Sequence, residues 1–314
     1  MNPPIGKDGA REPYNGHRML PPRSWSTLLG VLVVAAGCAP GADKDVADAA
    51  PAAPTITPAD EPVADAAHEA GPLPGRTDGC ADGMVRVEGS FCPAAMQDCL
   101  EHHPEWEKHK GEKGVAERCL RYREPSRCLA KRKDMSFCID RYEYPNTPGE
   151  LPRVLTSWLD AADLCEAQGK RLCTEPEWNF ACEGPDVLPY VYGYVRNAEI
   201  CNQDRDYRFP DHTHVMKHYD ACLGDERCAA ELARLDQRER IGERTTCVSW
   251  AGVFDLNGNV NEWVVRLGEK PPHRSGLKGG WWGPIRSRCR AITVFHPEDD
   301  YGYEVGFRCC SDAR

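Results

Sequence analysis

Trp158, Ala161, Ala162 and Cys165 recur at helical spacing behind Ser157, and Gly169 follows them. The pattern predicts a helix capped by Ser157, with Asp160 three residues on, and ended by Gly169. A second helix is predicted to start at Thr174. Thr174 and Glu177 have the spacing of a capping box, Pro176 falls in the first turn where its missing donor costs little, and Trp178 and Cys182 share a face. The run Cys228 to Arg240 is dominated by charge and reads as a solvated helix laced with opposite-charge pairs. From Val253 onward, short aromatic and β-branched runs broken by Asn-Gly, Gly-Gly and Pro-Pro predict strands and turns.

Near the N-terminus, a basic flank from Arg18 to Arg23 precedes the apolar run Trp25 to Gly37, which closes on Val34-Ala-Ala-Gly-Cys38. The length suits a secretory signal and is too short for a stable membrane span. Small residues directly before a cysteine resemble the lipobox of bacterial lipoproteins, which implies lipidation at Cys38. Cleavage elsewhere as an ordinary secretory signal is the alternative, and Met19 is a candidate start. Residues 38–79 hold 12 Ala, 7 Pro and 8 acidic residues and no aromatic side chain. Such a composition cannot bury enough apolar area to offset the entropy of ordering, so this stretch is expected to be a disordered tether behind a signal over 1–37. The expected setting is a bacterial cell envelope, with a membrane as partner through the lipidated N-terminus and the choice of membrane left open.

The remainder, 80–314, is long enough for one domain with an ordinary core, given 41% hydrophobic residues overall. A net charge of −10 with scattered Lys and Arg argues against nucleic acid as a partner. Setting Cys38 apart from the 17 cysteines leaves sixteen, all at or beyond Cys80. An even count in an exported domain predicts up to about eight disulfides. No Cys-x-x-Cys pair is present to suggest a thiolate metal site.

Five blocks carry a resemblance to the formylglycine-generating, sulfatase-modifying factor family: Phe137–Asn146, Gly169–Trp178, Asp255–Trp263, Gly279–Trp282 and Gly306–Arg308. Met84–Phe91 resembles the family's opening strand. The resemblance implies an α+β domain with the family's variant C-type-lectin-like fold and much irregular structure. Stretches near 92–136, expected to be charged, helical and loop-rich, and near 202–248 read as cysteine-rich insertions. By the same resemblance Cys165 would bridge Cys309, and Asp255 and Glu262 side chains with the carbonyls of Gly258 and Val260 would hold Ca²⁺. A second Ca²⁺ site would begin near Asn202. Read from its own residues, the Asn-Gly sequence at 257–258 also suits a plain hairpin with solvated acids.

The family's oxidase centre binds copper through two cysteines five residues apart. Here the first position falls on Pro284 and only the second, Cys289, keeps a thiol. Two soft thiolates are what Cu(I) requires, so Cys289 is read as half of a disulfide. The expected function is a non-catalytic binding or scaffold module for an unknown protein or glycan, with Ca²⁺ in a structural role. One alternative is an oxidoreductase of the formylglycine-generating type acting on a protein cysteine with O₂, with copper on Cys289 and a second thiol. Another is a non-haem iron oxidase using His212, His214 and His218. Arg286, Arg288 and Arg290 alternate in a row that would share one side of a strand, pairing with Glu298, Asp299 and Asp300 or holding an anion.

Overall fold

The computed structural model describes residues 75–112, 116–215 and 217–314. The expected signal, Met19, Cys38 and the tether up to residue 74 lie outside the described residues. Residues 75–79 are ordered, and the Arg76 carbonyl accepts from Arg86 N–H at 2.7 Å.

Strand β1 (Met84–Phe91) buries Met84, Val85, Val87 and Phe91. Beyond it, β2 (Ala95–Met96), β3 (Cys99–His102), α1 (Pro104–His109), β4 (Cys119–Tyr122) and β5 (Arg127–Cys128) follow in order. β2 pairs with β5 and β3 with β4, so short antiparallel ribbons replace most of the helix expected here. Two-stranded ribbons are marginal alone in water. The bridges Cys92–Cys128 and Cys99–Cys119 close these two. β6 (Lys133–Asp140) returns antiparallel to β1, with Phe137 opposite Val87 and Ile139 opposite Val85, and Cys80–Cys138 ties the pair together.

Helix α2 (Trp158–Glu166) starts at the predicted cap: Ser157 Oγ accepts from Asp160 N–H, and the Asp160 carboxylate accepts from Ser157 N–H. The left-handed turn that redirects the chain comes at Gly169, φ 69°. After β7 (Arg171–Leu172), the same reciprocal cap between Thr174 and Glu177 opens α3 (Glu175–Glu183), which ends at Gly184. Within the stretch expected to be an insertion, α4 (Tyr219–Leu223) and α5 (Glu226–Leu235) form a helical pair closed by Cys222–Cys228. α5 stops five residues before Arg240. Its charge covers only one side, for Cys228, Leu232 and Leu235 pack with Trp281, Trp282 and Tyr303. The helix is therefore docked rather than solvated.

β8 (Asn261–Val265) lies between β9 (Ser275–Lys278), antiparallel, and β10 (Val305–Phe307), parallel. β11 (Cys309–Asp312) then joins the first sheet between β6 and β7, giving the order β1-β6-β11-β7. The two sheets, α2 and α3 enclose the core. All sixteen cysteines from Cys80 onward are bridged, the remaining pairs being Cys165–Cys309, Cys173–Cys310, Cys182–Cys289 and Cys201–Cys247. Among the described residues no helix is long and apolar enough to cross a membrane.

Candidate functional site

After β9 the chain leaves the sheet and runs irregularly from Trp281 to Arg290. Cys289 is fully buried and bonded to Cys182 of α3 at 2.03 Å. Its backbone N–H donates to the Pro189 carbonyl at 2.8 Å, and Asn257 Nδ2 donates to the carbonyl of Ser287, two residues before it, at 2.6 Å. With proline at 284 and Cys289 oxidised, the residues do not fit a two-thiolate copper centre. Nor does the neighbouring arginine row form a strand. Arg290 chelates buried Glu183, Arg288 reaches Glu117 at 3.8 Å, and Arg286 donates to Thr293 Oγ1 at 2.7 Å. Of the carboxylates expected as their partners, Glu298 pairs with Arg274, Asp300 with His296, and Asp299 is exposed and makes no ion pair with the row among the described residues.

The turn before β8 is buried, unlike a solvated hairpin. Asp255, Asn257, Gly258, Asn259, Val260 and Glu262 all lie inside the domain, and β8 takes its partners from β9 and β10. Gly258 has φ 83°, and a Cβ there would sit 2.1 Å from the Asn202 carbonyl oxygen, so no other residue fits. Glu262 accepts two bonds from Arg308, at 2.6 and 2.7 Å, and one from Trp178 Nε1 at 2.8 Å. Glu143, a residue of the first family block that sequence reasoning did not single out, completes the cluster by accepting from Asn259 Nδ2 at 2.7 Å.

Three buried carboxylates thus face one guanidinium. Desolvation is the largest cause that pushes Asp255 up to about 7, and it also raises Glu143 well above the ordinary carboxylate range, helped by repulsion from Asp255 and Glu262. The surplus of negative charge and the oxygen-only donors fit Ca²⁺ in chemical class. Asn202 does not fit a second ion in the same way. Its Oδ1 accepts from the Arg205 guanidinium at 3.0 Å and its amide bonds Asn259 Oδ1 and the Gln237 carbonyl, so it links loops.

The three histidines do not converge among the described residues. His214 Nδ1 lies 2.8 Å from Asp211, and His218 Nδ1 lies 2.8 Å from Asp160 of α2. A cluster of Cys99, His102 and Glu117 has metal-like spacing, yet Cys99 is consumed by its disulfide.

Two further titratable groups with buried polar atoms, one on buried Lys278 and one on half-buried Glu304, escaped sequence reasoning. Lys278 Nζ lies 5.2 Å over the Trp178 ring without a hydrogen-bond partner among the described residues, and burial lowers it to about 7. Glu304 has Oε2 buried and unpartnered among the described residues, and burial raises it from 4.5 to about 7. Neither residue type carries a burial signal in sequence.

The profile of the sulfatase-modifying factor enzyme 1-like domain family matches residues 105–313, and the chain belongs to that family. Its α+β, disulfide-rich architecture is the family's variant of the C-type-lectin-like fold. The chain is 30% identical over 174 residues to the Bos taurus "Inactive C-alpha-formylglycine-generating enzyme 2", covering 52% of this chain and 51% of that protein. The Mus musculus protein of the same name is 27% identical over 177 residues, covering 52% and 50%. The chain spans about half the length of the curated relatives it matches. Among solved structures, PvdO from Pseudomonas aeruginosa aligns with a TM-score of 0.46 at 18% identity, covering 77% of this chain and 100% of that one. CarF aligns with a TM-score of 0.45 at 15% identity, covering 74% and 98%.

Because the Glu304 carboxyl is raised in the folded state, its contribution to stability is present in full below about 4.5 and is lost as pH rises through about 7. Glu304→Gln is expected to flatten that part of the decline in thermal midpoint between those pH values. Lys278, whose shift has the opposite sign, adds stability only as pH rises above about 7.

Proposed function

We propose that this chain is a non-catalytic binding or scaffold module of the sulfatase-modifying factor family, working in an oxidising space outside the cytoplasm. The observation that carries this reading is the Cys182–Cys289 bridge beside Pro284, which leaves neither position of the family's copper centre with a thiolate. Curated relatives that bear the word inactive in their names agree with it. Eight bridges form and persist only where thiols are oxidised, which supports an extracytoplasmic setting. The N-terminal run ending at Cys38 supports a lipid anchor.

Ca²⁺ in this reading is structural. Asp255, the carbonyls of Gly258 and Val260, and Glu262 shared with Arg308 would hold it, and its charge would balance the buried carboxylates. That role asks nothing of the thiols.

Alkylation of the native protein without reduction is expected to label none of the cysteines from Cys80 onward. Labelling at Cys182 and Cys289 would restore the oxidase reading. Pro284→Cys alone should add one thiol and no Cu(I) site, since Cys289 stays bridged. Only Pro284→Cys combined with Cys182→Ala frees two thiols, and that variant should gain Cu(I) binding.

A chelator is expected to lower the thermal midpoint and excess Ca²⁺ to restore it, with Asp255→Asn abolishing both responses. A midpoint indifferent to chelator and to Ca²⁺ would remove the ion from this account.

For the anchor, labelled fatty acid should enter the expressed protein and be lost in Cys38→Ala. Incorporation that survives the substitution would place the lipid elsewhere, and none at all would rule it out.

A further inference from the structure

We infer that the cavity between α2 and α4 is a binding site for a neutral saccharide, read through adjacent hydroxyls. The inference rests on the binding-module reading and supplies its ligand class. The cavity holds about 470 Å³, within the roughly 300–1,000 Å³ typical of small-molecule sites. It exists because the inserted region, bringing His218, Tyr219 and Asp220, lies against Arg153 and the α2 carboxylates Asp160 and Asp163. Leu155 and Leu164 add an apolar wall.

Most of the polar groups are fixed in advance. Asp160 is held by Ser157 Oγ at 2.7 Å and by His218 Nδ1 at 2.8 Å, and the His218 ring packs on Tyr301 at 4.0 Å. Arg153 pairs with Asp220 at 2.9 Å and lies 4.8 Å over the Tyr219 ring. A guanidinium carries five N–H donors, so Arg153 keeps donors beyond the one given to Asp220. The Asp163 carboxylate is exposed and has no hydrogen bond or ion pair among the described residues.

The cavity therefore presents donors from Arg153 and acceptors from Asp160 and Asp163 side by side. A group that accepts at one atom and donates at the next matches this arrangement, and vicinal hydroxyls do both. A lysine or arginine side chain only donates, so it would answer the carboxylates but leave the donors of Arg153 without an acceptor. An acidic sugar would face three carboxylates. Preorganised polar groups lower the entropy cost of binding, which suits a small, hydrated ligand.

The test uses the full chain on an array of neutral and carboxylate-bearing oligosaccharides, with a polylysine peptide alongside. Retention of neutral oligosaccharides, weakened about tenfold or more by Asp163→Asn and by Arg153→Gln, is the expected result. An unchanged thermal midpoint for Asp163→Asn shows that its fold is intact. No neutral glycan bound at millimolar concentration, binding indifferent to both substitutions, or binding of the acidic glycans or polylysine in their place would each overturn the assignment. A free-thiol count on the same sample separates the two readings: no free thiol with no glycan bound removes the saccharide alone, whereas free Cys182 and Cys289 remove the non-catalytic module.

Discussion

The Arg308 guanidinium is the centre on which the domain is assembled. Fully buried between β10 and β11, it chelates Glu262 on β8 and donates to the carbonyls of Asp140, Arg141 and Phe254. Those contacts join both sheets and the loop before the acidic turn. Trp178 brings α3 to the same carboxylate. A buried pair of this kind adds little over an apolar core of the same shape, but removing one partner strands the other and typically costs about 3–5 kcal/mol. The interaction therefore acts chiefly on uniqueness. Glu262 has one place to go, and the register of β8 against β9 and β10 follows from it.

The Cys182–Cys289 bridge sits close to that centre and decides the chemistry. In an oxidising space a thiol beside a well-placed second thiol is either kept apart for catalysis or spent on structure, and here it is spent. The nearby tryptophans, Trp281 and Trp282, are covered in turn by α5 and Tyr303. A cavity opens where α4 meets α2, and its lining residue Leu155 packs in the same cluster as these tryptophans. The bridge and this cavity use different parts of the chain.

Much of this was legible in the sequence where local rules govern. The caps at Ser157 and Thr174 formed because their geometry is set within four residues, and the blocks from Phe137 to Arg308 identified the family. Sequence reasoning went astray where tertiary context overrides local signals. The charge of Cys228–Arg240 hid an apolar stripe of Cys228, Leu232 and Leu235, and the charged stretch after Cys92 folded into stapled ribbons. Glu143, Lys278 and Glu304 gave no warning of burial, because burial of an ion is a property of its neighbours. The arginines from Arg286 to Arg290 found partners distant in sequence, such as Glu183 and Glu117, that spacing alone could not nominate.

Cys309 and Cys310 are neighbours in β11, and successive side chains of a strand point to opposite faces. One is bonded to α2 through Cys165 and the other to the start of α3 through Cys173. Both partners lie more than a hundred residues upstream, at separations of 144 and 137. During synthesis Cys165 and Cys173 must therefore wait, unpaired, until almost the whole domain has emerged. A domain whose synthesis stopped before β11 would keep Cys165 and Cys173 without these partners, whereas among the described residues no cysteine is left unpaired.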